Sequence, residues 1–348
     1  MNRDQLVNDI RNGEVITRVD FAGVDLSGLD LSGAVMERVG FAKANLTGTK
    51  MRQSTLKDCD FEGANLSGVD VHAATFDHGN FSGARLDGAS LVLANFVESR
   101  MEKASFVKAK CTVTGFIKCK MAGADLREAD CDRGRFVEVD LANADFTGAV
   151  LDKATFFRTD LRTTKIGPKL NLTIFFEVNL SGKDFSKMEL TVCQLMQADL
   201  TNANFEGANI KQCNFKGAKL VGAKFTGATG PLCLFVEANC GKATFAGAKL
   251  PQSIFMDADL SIADFSSANL EQCILTNSKC MGAKFVGTNL TYADFSHADL
   301  DAADLSHAKF FRTRLHQAKY ATAQFSSRSG ILGDDEELAE AENYKPPY

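Results

Sequence analysis

The chain has 348 residues, a formal net charge of -5, ten cysteines and no tryptophan. Two basic and six acidic groups lie beyond residue 325, so most of the excess negative charge sits in a short tail and the rest of the chain is close to neutral. That balance argues against a basic nucleic-acid-binding surface and against an acidic surface that imitates nucleic acid. No run of about 18 apolar residues occurs, and MNRDQLVNDIRNGEV at the start lacks the apolar centre of a signal peptide, so no membrane association and a cytoplasmic location are expected.

Residues 1–18 read as an N-terminal cap. Within them, residues 3–12 have the pattern of a short amphipathic helix, with Leu6 and Ile10 one turn apart and Gly13 as the stop. Such a helix covers the first coil of whatever follows.

From Phe21 onward a large apolar residue returns every fifth position, through Leu26, Leu31, Met36 and Phe41, and the period lasts to Phe325. Five fits neither the 3.6-residue helical turn nor the two-residue strand alternation, so each unit must be one side of a repeating coil. With the large apolar residue called i, position i−2 is small (Ala44, Ala64, Ala124), i−1 is often Asp or Asn (Asp25, Asn65, Asp145), and Gly is frequent at i+2. Of 27 Phe residues, 24 occupy i, which composition alone would not produce.

This pattern resembles the pentapeptide repeat family, whose consensus A(D/N)LXX is matched across residues 19–325. The resemblance implies an all-β fold, a right-handed quadrilateral parallel β-helix, with four units per 20-residue coil and i and i−2 pointing inward. Coils about 4.8 Å apart would then make a rod of about 75 Å. The sequence supports the coil length independently, because Phe185, Phe205, Phe225, Phe245, Phe265 and Phe285 are spaced by 20. All ten cysteines fall on inward positions and read as core residues, since side chains in a parallel ladder are badly directed for a disulfide or a metal.

The repeat divides into a first block, 19–166, and a second, 170–325, continuous with it. Between them, at 167–169, one residue is missing around Gly167 and Pro168, where a kink or distorted corner is expected. Lys183 is a charged residue on an inward position and must snorkel or open the coil. Gly230, followed by Pro231, stands on an i position and should leave a gap or bulge the coil outward. The tail, 326–348, contains Ile331 and Leu332, which would cover the last coil. Its acidic run DDEELAEAE is a candidate short helix that reads as solvated, with docking as the alternative, and YKPPY should be extended.

Catalysis needs groups converging in a cavity, and a filled rod offers only flat or convex faces. No catalytic set, cofactor motif or metal-ligand spacing is apparent, and neither an enzyme nor a cofactor is expected. His72, His78, His297, His307 and His316 show no ligand motif. Read down the outer faces, however, one file at i+1 is apolar: Val97, Ile117, Val137, Phe157, Phe176, Met196, Val236 and Met256, interrupted by Lys216. Ile174, Leu234, Ile254 and Ile274 adjoin it at i−1, and an alternating file of Glu98, Lys118, Glu138, Arg158 and Glu177 runs alongside. Stacked β-branched and aromatic residues serve stability, but a contiguous apolar strip rimmed by charge also has the make-up of a protein interface.

The expected function is a non-enzymatic scaffold or adaptor that binds a protein partner along this strip, with secretion-associated roles among those the resemblance allows. Pairing of two copies through a terminal coil is also open to such a rod. The alternative is a DNA-mimicking protein that binds and protects a topoisomerase, as some members of that family do; the near-neutral body weighs against it.

Overall fold

A computed structural model describes residues 1–344; Lys345, Pro346, Pro347 and Tyr348, most of the stretch expected to be extended, lie outside the described residues. The chain forms two compact units, one of Met1–Gly167 with Leu172–Asn179, the other of Pro168–Asn171 with Leu180–Tyr348. Each is a right-handed parallel β-solenoid of 20-residue coils, as Asp25 bridging to Asn45 and Asn45 to Asn65 illustrates in the first and Lys219 to Asn239 to Asp259 in the second.

The five-residue unit works because it accounts for each of its backbone N–H groups. The i amide donates to the next coil (Phe21 to Gly40 O, 2.8 Å), i+2 does likewise (Gly23 to Ala42 O, 2.9 Å), and i−1 donates to the preceding coil (Asn45 to Val24 O, 3.0 Å). The amide three residues beyond i closes the corner, as in Val24 to Phe21 O at 3.0 Å. The i+1 amide is the one the ladder leaves over, and the Asp or Asn at i−1 takes it: Asp20 Oδ1 accepts from Ala22 N at 2.9 Å, Asp25 Oδ1 from Ser27 N at 3.0 Å. Where Asp or Asn stands at i−1 it is therefore a cap for that corner, which accounts for the abundance of Asp. It also explains why Pro231 and Pro251 are tolerated at i+1, where no ladder donor is lost; their carbonyls still accept from Gln212 and Leu232, at 3.0 and 3.1 Å.

The i residues fill the centre. In the second unit Phe225 lies 4.7 Å from both Phe205 and Phe245, ring over ring, while the neighbouring file meets it edge-on, Phe215 at 5.8 Å and 89°. The first unit repeats this, with Phe61 stacked on Phe81 at 4.6 Å and Phe76 edge-on to Phe81 at 5.2 Å. Such offset and edge-to-face arrays are the favoured aromatic geometries. At i−2, many of the Ser, Thr and Cys side chains point their hydroxyl or thiol at the i carbonyl of the previous coil, Thr114 to Leu91 O at 2.7 Å and Cys213 to Leu190 O at 3.0 Å, while Ser99 and Thr159 turn to the carbonyl two residues back in their own coil. All ten cysteines are free and buried. Burial pushes the Cys59 and Cys119 thiols up to about 11 and that of Cys273 to about 12, so they remain protonated donors.

Among the described residues, both ends carry a helix. Helix α1, Arg3–Arg11, is capped by Asn2, whose side chain accepts from Gln5 N, and buries Leu6 and Ile10. Helix α2, Glu336–Asn343, starts at Asp335, whose carboxylate accepts from Leu338 N. Ahead of it, Ile331–Leu332 pairs in parallel with Thr313–Arg314. The acidic run is exposed, as expected, and is also docked at two points: Asp334 Oδ1 accepts from Gln317 N at 2.7 Å, and Glu342 reaches back to the coils. Three carboxylates find donors on the solenoid or cap their own helix, which charge composition could not foretell.

The missing residue is visible in the register of the first unit. Its strands pair 20 residues apart up to Val137 with Phe157, then 19 apart, Phe157 with Phe176 and Thr155 with Ile174. Gly167 is buried, and Pro168 O accepts from Glu189 N at 3.0 Å. Lys183 is half-buried, and desolvation holds its ammonium below the usual lysine range. Gly230 corrects an expectation, for there is neither gap nor bulge. A Cβ there would lie 2.5 Å from Ile210 Cγ1 and 2.8 Å from Cys233 Sγ, and its amide keeps the ladder bond to Lys249 O at 2.8 Å. Branched Ile210, where the same file elsewhere has Leu190 and Leu250, leans into the space a larger residue would fill.

Candidate functional site

One outer face of the first unit differs from the others. It carries a nine-stranded parallel sheet of three-residue strands, from Val15–Thr17 to Ile174–Phe176, whereas the other faces are built largely of single bridges. Extended strands present a flat surface with i−1 and i+1 side chains standing outward. Along i+1 the nine residues are Thr17, Glu37, Lys57, Asp77, Val97, Ile117, Val137, Phe157 and Phe176. The sheet pairs Val97 with Ile117, Ile117 with Val137, Val137 with Phe157 and Phe157 with Phe176, so the five apolar residues form one unbroken file. Each is half-buried by its neighbours and open on its outer side. Phe157 and Phe176 are stacked, 5.8 Å apart and 5° from parallel, and the Arg158 guanidinium lies 4.7 Å over the Phe157 ring.

Both flanks are polar. At i+2, Arg158 bridges Glu138 at 3.8 Å and Glu177 at 2.7 Å, and Lys118 pairs with Glu98 at 3.9 Å. These residues sit at left-handed corners, with φ from 48 to 54° at Glu98, Lys118, Glu138, Arg158 and Glu177. On the other flank Arg135 reaches two coils along to Asn95 Oδ1 at 3.2 Å. It passes over Gly115, where a Cβ would stand 2.7 Å from that oxygen and 3.1 Å from the guanidinium. Glycine is used there for clearance, and the bridge is not legible in the repeat because its partners lie 40 positions apart. Ile174 extends the apolar surface onto this flank, half-buried and paired with Thr155.

The second unit holds the remaining expected residues. Leu234 bridges to Ile254 and Ile254 to Ile274, and Val236, Met196 and Leu234 are half-buried while Met256 is exposed. These coils carry single bridges, and Lys216 interrupts the i+1 file and pairs with Glu237 at 3.5 Å. Exposed apolar residues missed by the five-residue reading also appear here, Ile262 and Met281 on adjacent coils, 60% and 53% exposed. A further group the spacing concealed is His297, His316 and Glu342, brought together by the return of α2. Their signal was faint: the histidines are 19 apart, close to one coil, and the glutamate lies in the tail.

Among the described residues no helix is long and apolar enough to cross a membrane. Family models for the pentapeptide repeat region match residues 15–91, and for pentapeptide repeats in eight copies match 79–110, 124–162, 193–229, 238–277 and 278–317. No curated protein matches the sequence significantly. Solved structures similar to the chain include HetL, a pentapeptide repeat protein involved in heterocyst differentiation regulation from the cyanobacterium Nostoc sp. strain PCC 7120, at 19% identity over 90% of this chain and 97% of that one, TM-score 0.23. They also include QnrB1, a plasmid-mediated fluoroquinolone resistance protein, at 17% identity over 88% and 99%, TM-score 0.23. A pentapeptide repeat protein from the Arabidopsis thaliana thylakoid lumen is 33% identical over 34% of this chain and 66% of that one, TM-score 0.16. On the strength of the family models, which cover more than half of its length, this chain belongs to the pentapeptide repeat family.

Proposed function

We propose that this protein is a non-enzymatic interaction scaffold that binds a protein partner on the sheet face of its first unit, along Val97, Ile117, Val137, Phe157 and Phe176. The observation that carries this reading is the confinement of apolar residues to five consecutive strands of a nine-stranded sheet whose first four strands carry Thr17, Glu37, Lys57 and Asp77 at the same position. A file needed for folding would run the full length. A preformed flat surface loses little conformational entropy on binding, which suits a rigid adaptor. The partner that fits is a protein segment with an apolar stripe of its own, bordered by charges that can meet Lys118 and Arg158 on one side and Glu98, Glu138 and Glu177 on the same rim.

The test is the triple variant Ile117→Asp, Phe157→Asp and Phe176→Asp in the full chain. Its partner, identified by affinity capture from the native cell and then purified, should bind the wild type and lose at least about a hundredfold in affinity for the variant, the loss of two or more hot-spot contacts. Circular dichroism should show the solenoid intact. Equal binding by a folded variant would overturn the proposal.

A further inference from the structure

Helix α2 brings a carboxylate to two imidazoles of the final coils. Glu342 Oε1 is 3.2 Å from His297 Nε2, and Glu342 Oε2 is 3.3 Å from His316 Nε2. The rings meet edge to face at 5.5 Å, and the three ligand atoms, one from each residue, lie within 4.8 Å of one another. His316 is fully buried, while the side chains of His297 and Glu342 are each 35% exposed and leave a route from solvent. Gln317 Nε2 also donates to Glu342 Oε2, at 3.4 Å, and steadies the carboxylate.

We propose that His297, His316 and Glu342 form a binding site for a divalent d-block cation of the zinc class, which clasps the C-terminal helix onto the solenoid. Two imidazoles and one carboxylate are a donor set that suits zinc and its neighbours, and that disfavours magnesium or calcium. Metal–ligand bonds of about 2.0 Å in a tetrahedron place the ligand atoms about 3.3 Å apart. The two nitrogen–oxygen separations already have that length, and the exposed His297 is free to close the remaining distance. A fourth position, facing solvent, is left for water.

The surroundings of His316 state what filling the site requires. Its Nδ1 accepts the Asp335 N–H at 3.0 Å, so without a cation the imidazole proton is on Nε2 and is donated to Glu342. A cation at Nε2 takes the place of that proton, which moves by exchange through solvent to Nδ1, so the ring becomes its neutral Nδ1–H tautomer with no net proton release. The acceptor in reach is Asp334 Oδ1, 4.0 Å from Nδ1, the carboxylate–histidine pairing that commonly backs a metal-bound imidazole. The Asp335 N–H bond is given up in exchange, so binding re-sets the turn at 334–335 that starts α2. Occupancy and the seating of the helix are thereby one equilibrium.

The experiment uses the full chain, stripped with a chelator and titrated with zinc chloride by calorimetry, with limited proteolysis of residues 334–344 in parallel. One zinc should bind per chain, and zinc at about ten times its Kd should slow tail cleavage about tenfold. His297→Ala and Glu342→Gln, each at a partly exposed position, should each abolish both effects while the melting of the solenoid is unchanged. Cobalt in place of zinc should show no thiolate charge-transfer band, which separates this site from the buried cysteines. Absence of zinc binding, binding that survives both variants, or a tail equally protected with and without zinc would each overturn the proposal, the last leaving a hydrogen-bonded clamp that needs no metal.

Discussion

The sheet of the first unit contains two halves that share a backbone and differ in one file of side chains. From Val15–Thr17 to Thr75–Asp77 the strands expose Thr17, Glu37, Lys57 and Asp77; from Asn95–Val97 to Ile174–Phe176 they expose Val97, Ile117, Val137, Phe157 and Phe176. The inward residue keeps its character across both, Met36 and Phe76 in one half and Phe116 and Phe156 in the other, all buried. The charged corner file also runs through both, Arg38 with Asp58 and His78 with Glu98 in the first half, Lys118 with Glu98 and Arg158 with Glu177 in the second. Pairing geometry, core and ladder are therefore indifferent to what stands at i+1. Under the proposed function, the change at Val97 answers a demand from a partner rather than from the fold.

The largest effect that could break this comparison is energetic. Phe136 and Phe157 lie one coil apart in the same sheet, the first inward and fully buried, the second outward. Phe136→Ala should destabilise the first unit by about 3–5 kcal/mol, the transfer and cavity cost of a buried ring. Phe157→Ala should cost about 1 kcal/mol or less, the value of one exposed stacked pair. Chemical denaturation measures both, and a comparable loss for Phe157→Ala would make the apolar file structural after all.

Acid provides the next contrast, because the apolar face lacks the carboxylates that the other faces use. Its i−1 residues in the second half are Asn95, Gly115, Arg135, Thr155 and Ile174. Elsewhere, hydrogen bonds from Ser27 and Ser32 hold the Asp25 and Asp30 carboxyls below the usual range, and Ser306 does the same for Asp304. A carboxyl depressed in the folded state contributes stability above its unfolded pKa, about 3.9, and loses it as pH falls through the folded value. Stability should accordingly hold level from neutral pH to about pH 4 and fall below it. An acid melt followed by hydrogen exchange should show the Asx corners opening before the strands of the apolar face; simultaneous opening would contradict this.

The coil, its period, its caps and the inward cysteines were legible because each follows from a five-residue rule that repeats. The apolar file was legible for the same reason, as a deviation at fixed phase. What was hidden depends on contacts the period does not encode: Ile210 leaning into the site of Gly230, Arg135 crossing Gly115 to Asn95, and the tail returning to place Glu342 on His297 and His316. Acidic residues in a tail look alike in sequence whether solvated or docked, since their partners are chosen by where α2 lies.

The smallest expected effect sharpens the role of the ladder. Arg158 touches Glu138, Glu177 and the Phe157 ring, yet its side chain is about half exposed, and exposed ion pairs are worth about 0–1 kcal/mol because solvent competes for them. Arg158→Ala should therefore change stability by less than about 1 kcal/mol. At a rim it acts on association: a charge beside the apolar file steers the approach and excludes partners of the wrong sign. The variant should slow partner association and flatten its salt dependence, with little change in dissociation, as read by surface-based kinetics at two ionic strengths. A faster dissociation with unchanged association would instead place Arg158 in the centre of the contact, and would move the interface sideways from the apolar file onto the charged corner that both halves of the sheet share.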